Sequence, residues 1–178
     1  PEELEEGLFY FVSGLGMKVL LADRLAILWN DLQMIGFQSI STPLAWLGAL
    51  GYSLQLYFDF WGYSLMASGL MVILGFPFIQ NFDHPYASKS IAEFYRRWHM
   101  TLGSWFRDYV YIPMGGSRCT NKRLVRNLAL VWILTGLWHG SGINFLIWGG
   151  LLGLFIILEK LFYGKYLAKL PEEKIERL

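Results

Sequence analysis

The chain has 178 residues, of which 54% are hydrophobic, 17% aromatic and 16% charged. Soluble domains carry about 25% charged residues, so the charge here is too sparse to cover a soluble surface, although the length would suit one domain with a sizeable core. The apolar content excludes intrinsic disorder, and the single cysteine, Cys119, excludes a disulfide scaffold.

The net charge of +1 averages unlike segments. Residues 1–6 hold four glutamates and no base. Residues 84–126 hold Lys89, Arg96, Arg97, Arg107, Arg118, Lys122, Arg123 and Arg126 against only Glu93 and Asp108. Asp59 is the only charge between Asp31 and Asp83, and the 32 residues between Arg126 and Glu159 have none. A bilayer-spanning helix needs about 20 apolar residues, and both stretches exceed that. They predict an all-α, polytopic membrane helical bundle. The first residue is Pro and no signal peptide is evident, so residues 1–178 read as an internal fragment of a longer membrane domain.

In chain order, Pro1 followed by Glu2, Glu3, Glu5 and Glu6 suits a helix start, with acids near the positive end of the helix dipole. Gly7 to Trp29 is largely apolar but contains Lys18, Asp23 and Arg24, and Gly14 and Gly16 would loosen it. It reads either as a span or as a helix along the membrane surface, with 31–42 as a connection. Pro43 to Ile79 is 37 residues with one charge. Fully helical at 1.5 Å per residue it would reach about 55 Å, so either two broken helices or one long tilted helix fits. Asn81-Phe-Asp-His-Pro85 is a polar turn.

Ser90-Ile-Ala-Glu93 has the capping-box form, which predicts an aromatic, basic interfacial helix from there to about Trp105. Ile112 to Ser117 is a turn, and 118–126 reads as a short basic connection. The excess of Lys and Arg predicts a cytoplasmic side for 89–126. Gly140-Ser-Gly142 breaks the last apolar run. With 127–139 helical, His139 would lie about 20 Å from the entry point, inside a hydrocarbon core about 30 Å thick. The following run ends at Glu159-Lys160, with Lys165 and Lys169 beyond. Basic residues at both ends fit a re-entrant hairpin, and a full crossing is the alternative.

Trp98-His99 and Trp138-His139 recur 40 residues apart. Histidine exchanges a proton near neutral pH, which suits general base work, and an ionisable group within a membrane faces a cavity or a partner. A hydrogen-bonded structural histidine is the bland alternative at both positions. Asp59, alone among apolar residues, should pair with an arginine or cap a broken helix. Arg107-Asp108 reads as a local charge pair. Arg96, Arg97 and Arg107 suit phosphate groups of a lipid or cofactor, and lipid headgroup anchoring is the bland reading. Neither a Cys/His metal spacing nor a P-loop nor a G-x-S-x-G elbow is present. The basic stretch adjoins membrane segments, so nothing points to nucleic acid. Broken helices with intramembrane Asp59 and His139 also fit a transporter or channel segment.

Five motifs occur in order: Tyr57-Phe-Asp-Phe-Trp-Gly-Tyr63, Asn81-Phe-Asp-His-Pro-Tyr86, Arg96-Arg-Trp-His-Met100, Trp105-Phe-Arg-Asp-Tyr-Val-Tyr-Ile-Pro-Met-Gly-Gly116 and Gly136-Leu-Trp-His-Gly140. Over residues 7–162 the chain resembles the membrane-bound O-acyltransferase family, nearest the branch of bacterial alginate O-acetylation proteins. Trp61, Leu65 and Tyr95 depart from that branch's usual residues. The resemblance implies a helical bundle around a cavity in the bacterial cytoplasmic membrane. It also implies His139 as the catalytic histidine and His99 as a second one, with Arg96, Arg97, Arg107 and Asp59 as candidate donor- or substrate-binding residues. It implies no covalently bound cofactor but a thioester donor, acyl-CoA or an acyl carrier protein. The acyl group, expected to be acetyl, would move to a hydroxyl of an extracytoplasmic polysaccharide or partner acyltransferase, beside membrane lipid.

Overall fold

The computed structural model describes residues 2–167. Pro1 and Lys169 lie outside the described residues, as does the side chain of Lys165. Every long element is helical, and no strand occurs among the described residues. The chain divides into two compact units, Pro1–Asn81 and Phe82–Leu178.

The first unit is built on two long helical runs. Helix α1 (Glu2–Gly16) continues through a π-helical stretch, Met17–Ala22, into α2 (Asp23–Ile35). The helix therefore extends into the stretch expected as a connection and ends at Gly36, whose φ of 88° suits glycine and whose N–H bonds the carbonyl of Leu32. Helix α3 (Thr42–Ile73) is one unbroken helix of 32 residues, with Pro43 in its first turn. At 1.5 Å per residue it reaches about 48 Å, which answers the question the composition left open between one long helix and two.

Glycines hold these runs together. A Cβ on Gly62 would lie 2.6 Å from the carbonyl oxygen of Gly14, and one on Gly69 would lie 2.5 Å from that of Gly7. The pairs run in opposite directions along α1 and α3, so the two helices are antiparallel with their backbones almost touching, as small residues permit in membrane helices. Gly14 is thus a packing site, not a loosening one. Farther along, Gly48 and Gly51 receive Leu32 and Leu28 of α2. The chain after α3 folds back on it: Ser68 donates to the carbonyl of Ile79, Asn81 donates to Ser64 Oγ, and Phe78 stacks on Tyr10 at 4.3 Å.

In the second unit, Ser90 caps α4 (Ile91–Arg97). Its Oγ accepts the N–H of Glu93 at 3.1 Å, and the Glu93 carboxylate accepts that of Lys89 at 2.9 Å. The Ser90 half of the expected capping box is therefore formed, while the Glu93 carboxylate reaches one residue beyond the cap, to Lys89 rather than Ser90. The helix does not run to Trp105. It stops at Trp98 and resumes as α5 (Met100–Phe106). The cause lies outside the segment: Asp83 N–H takes the carbonyl of Arg97, and Phe82 pairs with Trp98 in an isolated bridge. A π-helical stretch, Arg107–Tyr111, and a turn follow. Helix α6 (Asn121–His139) then begins inside the expected connection, so Lys122, Arg123 and Arg126 lie on its first turns.

Helix α7 (Ile143–Leu167) returns against α6 as a hairpin. A Cβ on Gly149 would lie 2.5 Å from the carbonyl of Trp132, and one on Gly136 2.6 Å from that of Phe145. The core here is Leu128, Trp132, Ile156 and Ile157, with Tyr95, Tyr111 and Leu124 packed on it.

Two helical stretches, Thr42–Ile73 and Ile143–Phe162, are long and apolar enough to cross a bilayer. Only 28% and 22% of their apolar windows is buried within the chain, so most of that surface is left for lipid or further protein rather than a soluble core. The 13 residues of α6 beyond Arg126 form a shorter apolar run than either.

Candidate active site

The two histidines are brought together in the second unit. His139 is the last residue of α6, because Gly140 adopts an extended conformation (φ 164°, ψ 165°) that ends the helix. His99 occupies the break between α4 and α5 in the left-handed region, φ 48° and ψ 55°. That conformation is strained for a residue with a β-carbon, and such strain is retained where the surroundings determine the position. Trp138 bridges the pair: its ring centroid is 5.7 Å from that of His99 and 4.9 Å from that of His139. Burial, and then the nearby charge of His139, lower the pKa of His99 below the usual imidazole value.

The imidazole of His139 has a defined tautomer. Its Nδ1 lies 2.7 Å from the carbonyl oxygen of Thr135, one turn earlier. A carbonyl only accepts, so Nδ1 donates its hydrogen and the lone pair resides on Nε2. Nε2 makes no hydrogen bond among the described residues, and the side chain is exposed at the end of the hairpin. The Thr135 hydroxyl bonds Val131 O at 2.8 Å. The imidazole therefore presents a basic nitrogen outward, while α6 directs its negative dipole end towards the ring.

The other expected site residues fare differently. Arg97 is engaged by Glu93 at 2.8 Å and approaches Asp83 at 4.0 Å, so it fastens the turn before α4. Arg107 makes the expected local pair, its Nε donating to Asp108 at 2.7 Å. Arg96 is exposed and forms no ion pair among the described residues, which leaves it the freest of the three guanidinium groups. Asp59 belongs to the first unit and pairs with a lysine rather than an arginine: Lys18 Nζ lies 2.8 Å from Asp59 and 2.7 Å from Asp23. No cluster of three or more potential metal ligands occurs among the described residues.

Three residues that hold the second unit together carry no local motif. Glu159 on α7 accepts the backbone N–H groups of Ile91 at 3.0 Å and Ala92 at 3.2 Å, and so holds the start of α4. Asn127, fully buried, donates to the carbonyls of Met114 and Gly116 and accepts from Arg126, which ties the 112–117 turn to α6. Trp148 on α7 lies against the His139 ring at 4.6 Å. The chemical character of Glu159 and Asn127, polar groups beside apolar runs, was the available signal. Trp148 had none that set it apart from seven other tryptophans.

Residues 2–168 match the sequence model of the membrane-bound O-acyltransferase family. The chain belongs to that family. It is 47% identical, over 89% of its length, to a probable alginate O-acetylase, AlgI, of Pseudomonas syringae pv. tomato, and covers 30% of that protein. It is 42% identical, over 88% of its length, to a peptidoglycan O-acetyltransferase of Helicobacter pylori, of which it covers 29%. With a teichoic acid D-alanyltransferase of Bacillus subtilis it shares 40% identity over 56% of its length, 27% of that relative. The chain thus spans about 30% of the length of the relatives it matches. Within this membrane-bound family, the paired Trp-His motifs stand on a helix end and a helix break that face one another through Trp138.

Proposed function

We propose that the chain is the histidine-bearing part of an O-acyltransferase of the bacterial cytoplasmic membrane, moving an acyl group from a thioester to a hydroxyl of a cell-envelope polymer. The observation that carries this reading is the Nδ1 bond of His139 to Thr135 O, which leaves Nε2 as the base. The acceptor hydroxyl attacks the thioester carbonyl as Nε2 takes its proton. A new C–O bond forms, the C–S bond breaks, and the proton passes from His139 to the departing thiolate. His99, whose pKa is lowered, is a neutral donor suited to the charge that develops on the carbonyl oxygen.

Relatives named for O-acetylation align over nearly nine-tenths of the chain, and those named for D-alanyl transfer over less, which favours acetyl as the group moved. The basic surface of 84–126, with Arg96 free of ion pairs, suits the phosphates of a cytoplasmic acyl-CoA or an acidic carrier protein. The acceptor is a polysaccharide hydroxyl on the far side of the membrane, reached directly or through a partner acyltransferase.

The test is acyl transfer from labelled acetyl-CoA or acetylated carrier protein by the full-length protein in proteoliposomes. His139→Ala is expected to lose transfer while remaining in the membrane. Transfer at the parent rate would refute the assignment.

A further inference from the structure

A base that takes a proton becomes a cation, and a cation at a membrane site needs stabilisation. Most base histidines receive it from a carboxylate behind the ring. His139 has none: Nδ1 meets a neutral backbone carbonyl, and no carboxylate contacts the ring among the described residues. Helix α7 offers no Asp, Glu, Lys or Arg between Ile143 and Leu158, and α6 none between Asn127 and Trp138. From the α4–α5 break the titratable group that faces it is His99, which would repel the new charge if it were itself protonated.

Aromatic rings surround the imidazole instead. The indole of Trp148 lies with its centroid 4.6 Å from that of the imidazole, at an interplanar angle of 57°. Trp138, the chain neighbour of His139, is nearly perpendicular to the ring at 4.9 Å and 85°, and Phe145 is more distant at 6.5 Å. A cation within about 6 Å of an indole centroid is attracted by the ring's quadrupole, most strongly where water is scarce. Trp148 is itself held by Trp132 at 6.4 Å, and Gly149 beside it lets α7 approach α6 closely enough to bring the indole to the histidine.

We propose that Trp148 is a positioning residue for proton transfer at His139, its π-face stabilising the imidazolium that forms when the acceptor hydroxyl is deprotonated. This rests on the reading of His139 as the general base. A purely structural tryptophan would fill the α6/α7 seam without affecting the charge state of the ring.

The experiment replaces Trp148 in the full-length protein and reads acyl transfer against pH. Trp148→Leu is expected to lower kcat/KM about tenfold. It is also expected to move the acid limb of the pH–rate profile to lower pH, because an imidazolium without its π-partner gives up its proton more readily. Trp148→Phe should lie between Leu and the parent protein. Site-specific incorporation of mono- and trifluorotryptophan at 148, which drains the π-face with little change of shape, should lower the rate stepwise and keeps the test valid if the leucine variant does not fold. An unmoved acid limb in a folded Leu variant, or rates insensitive to fluorination, would overturn the proposal. His139→Ala run alongside separates the two ideas: parent-like transfer there removes the general base itself, whereas an inactive alanine variant with fluorination-insensitive rates removes only the role of Trp148.

Discussion

The carboxylate of Glu159 accepts the backbone N–H of Ile91 at 3.0 Å, across 68 positions of sequence. The same oxygen accepts Ala92 N–H. Four N–H groups at a helix start have no partner within the helix, and a carboxylate there is favoured by the dipole. Helix α4 ends at Arg97, and Trp98 and His99 are the next two residues, so this contact anchors the helix that leads to the second histidine.

Glu159→Ala should therefore destabilise the second unit by about 2 kcal/mol, and Glu159→Gln, which keeps an acceptor, by less. Amide hydrogen exchange at Ile91 and Ala92 checks it. Protection should fall in the order Glu, Gln, Ala, and equal protection in all three would show the contact to be idle.

The α1/α3 seam leads to a steric prediction. A Cβ at Gly62 meets the backbone of Gly14, which has no side chain to move aside. Gly62→Ala should cost about 2 kcal/mol by overpacking, whereas Gly16→Ala, with open space around it, should be neutral or slightly favourable. Thermal unfolding in detergent distinguishes the two. Similar melting of both variants would mean that the helices do not touch at this point.

Asn127 supplies a third prediction. Replacing it with Leu preserves bulk but leaves the carbonyls of Met114 and Gly116 without their donor. The loss should be about 2 kcal/mol, and Asn127→Asp, which cannot donate, should do no better. The readout is proteolysis within 112–117, expected to be faster in both variants.

Much of this was legible in the sequence, and the failures share a cause. The Ser90–Glu93 box, the Gly140 stop, the Arg107–Asp108 pair and the apolar α3 are local, so residue type and spacing announce them. The break at Trp98 is not local: it follows from Asp83 claiming the carbonyl of Arg97. Gly14 read as a loosening residue because its value depends on Gly62, 48 positions away. Asp59 was expected to need a cation, and it has one, but the identity of Lys18 depends on how the π-helical stretch turns that side chain towards α3. The site divides in the same way. Both histidines stood out by their motifs, whereas Glu159 at the start of α4 and Trp148 beside His139 act through contacts that spacing does not reveal, as does Asn127 at the 112–117 turn.

His99 carries a pH prediction. Its pKa is lowered in the folded protein by burial and then by His139, so the unfolded chain binds more protons as pH falls. Stability contributed by the neutral ring is present above the ordinary imidazole value of about 6.5 and is lost as pH drops through the lower folded value. His99→Asn, which tolerates the left-handed backbone, should remove that acid-side loss. Melting temperature against pH is the check, and parallel curves for variant and parent would contradict the assignment.

The central claim is that Nε2 of His139 is the base. Its most direct test is chemical rescue of His139→Ala by added imidazole, measured as acetyl transfer from a thioester by the full-length protein. The account predicts negligible transfer without imidazole and transfer that rises with the concentration of its neutral form. Undiminished transfer by His139→Ala in the absence of imidazole would contradict it.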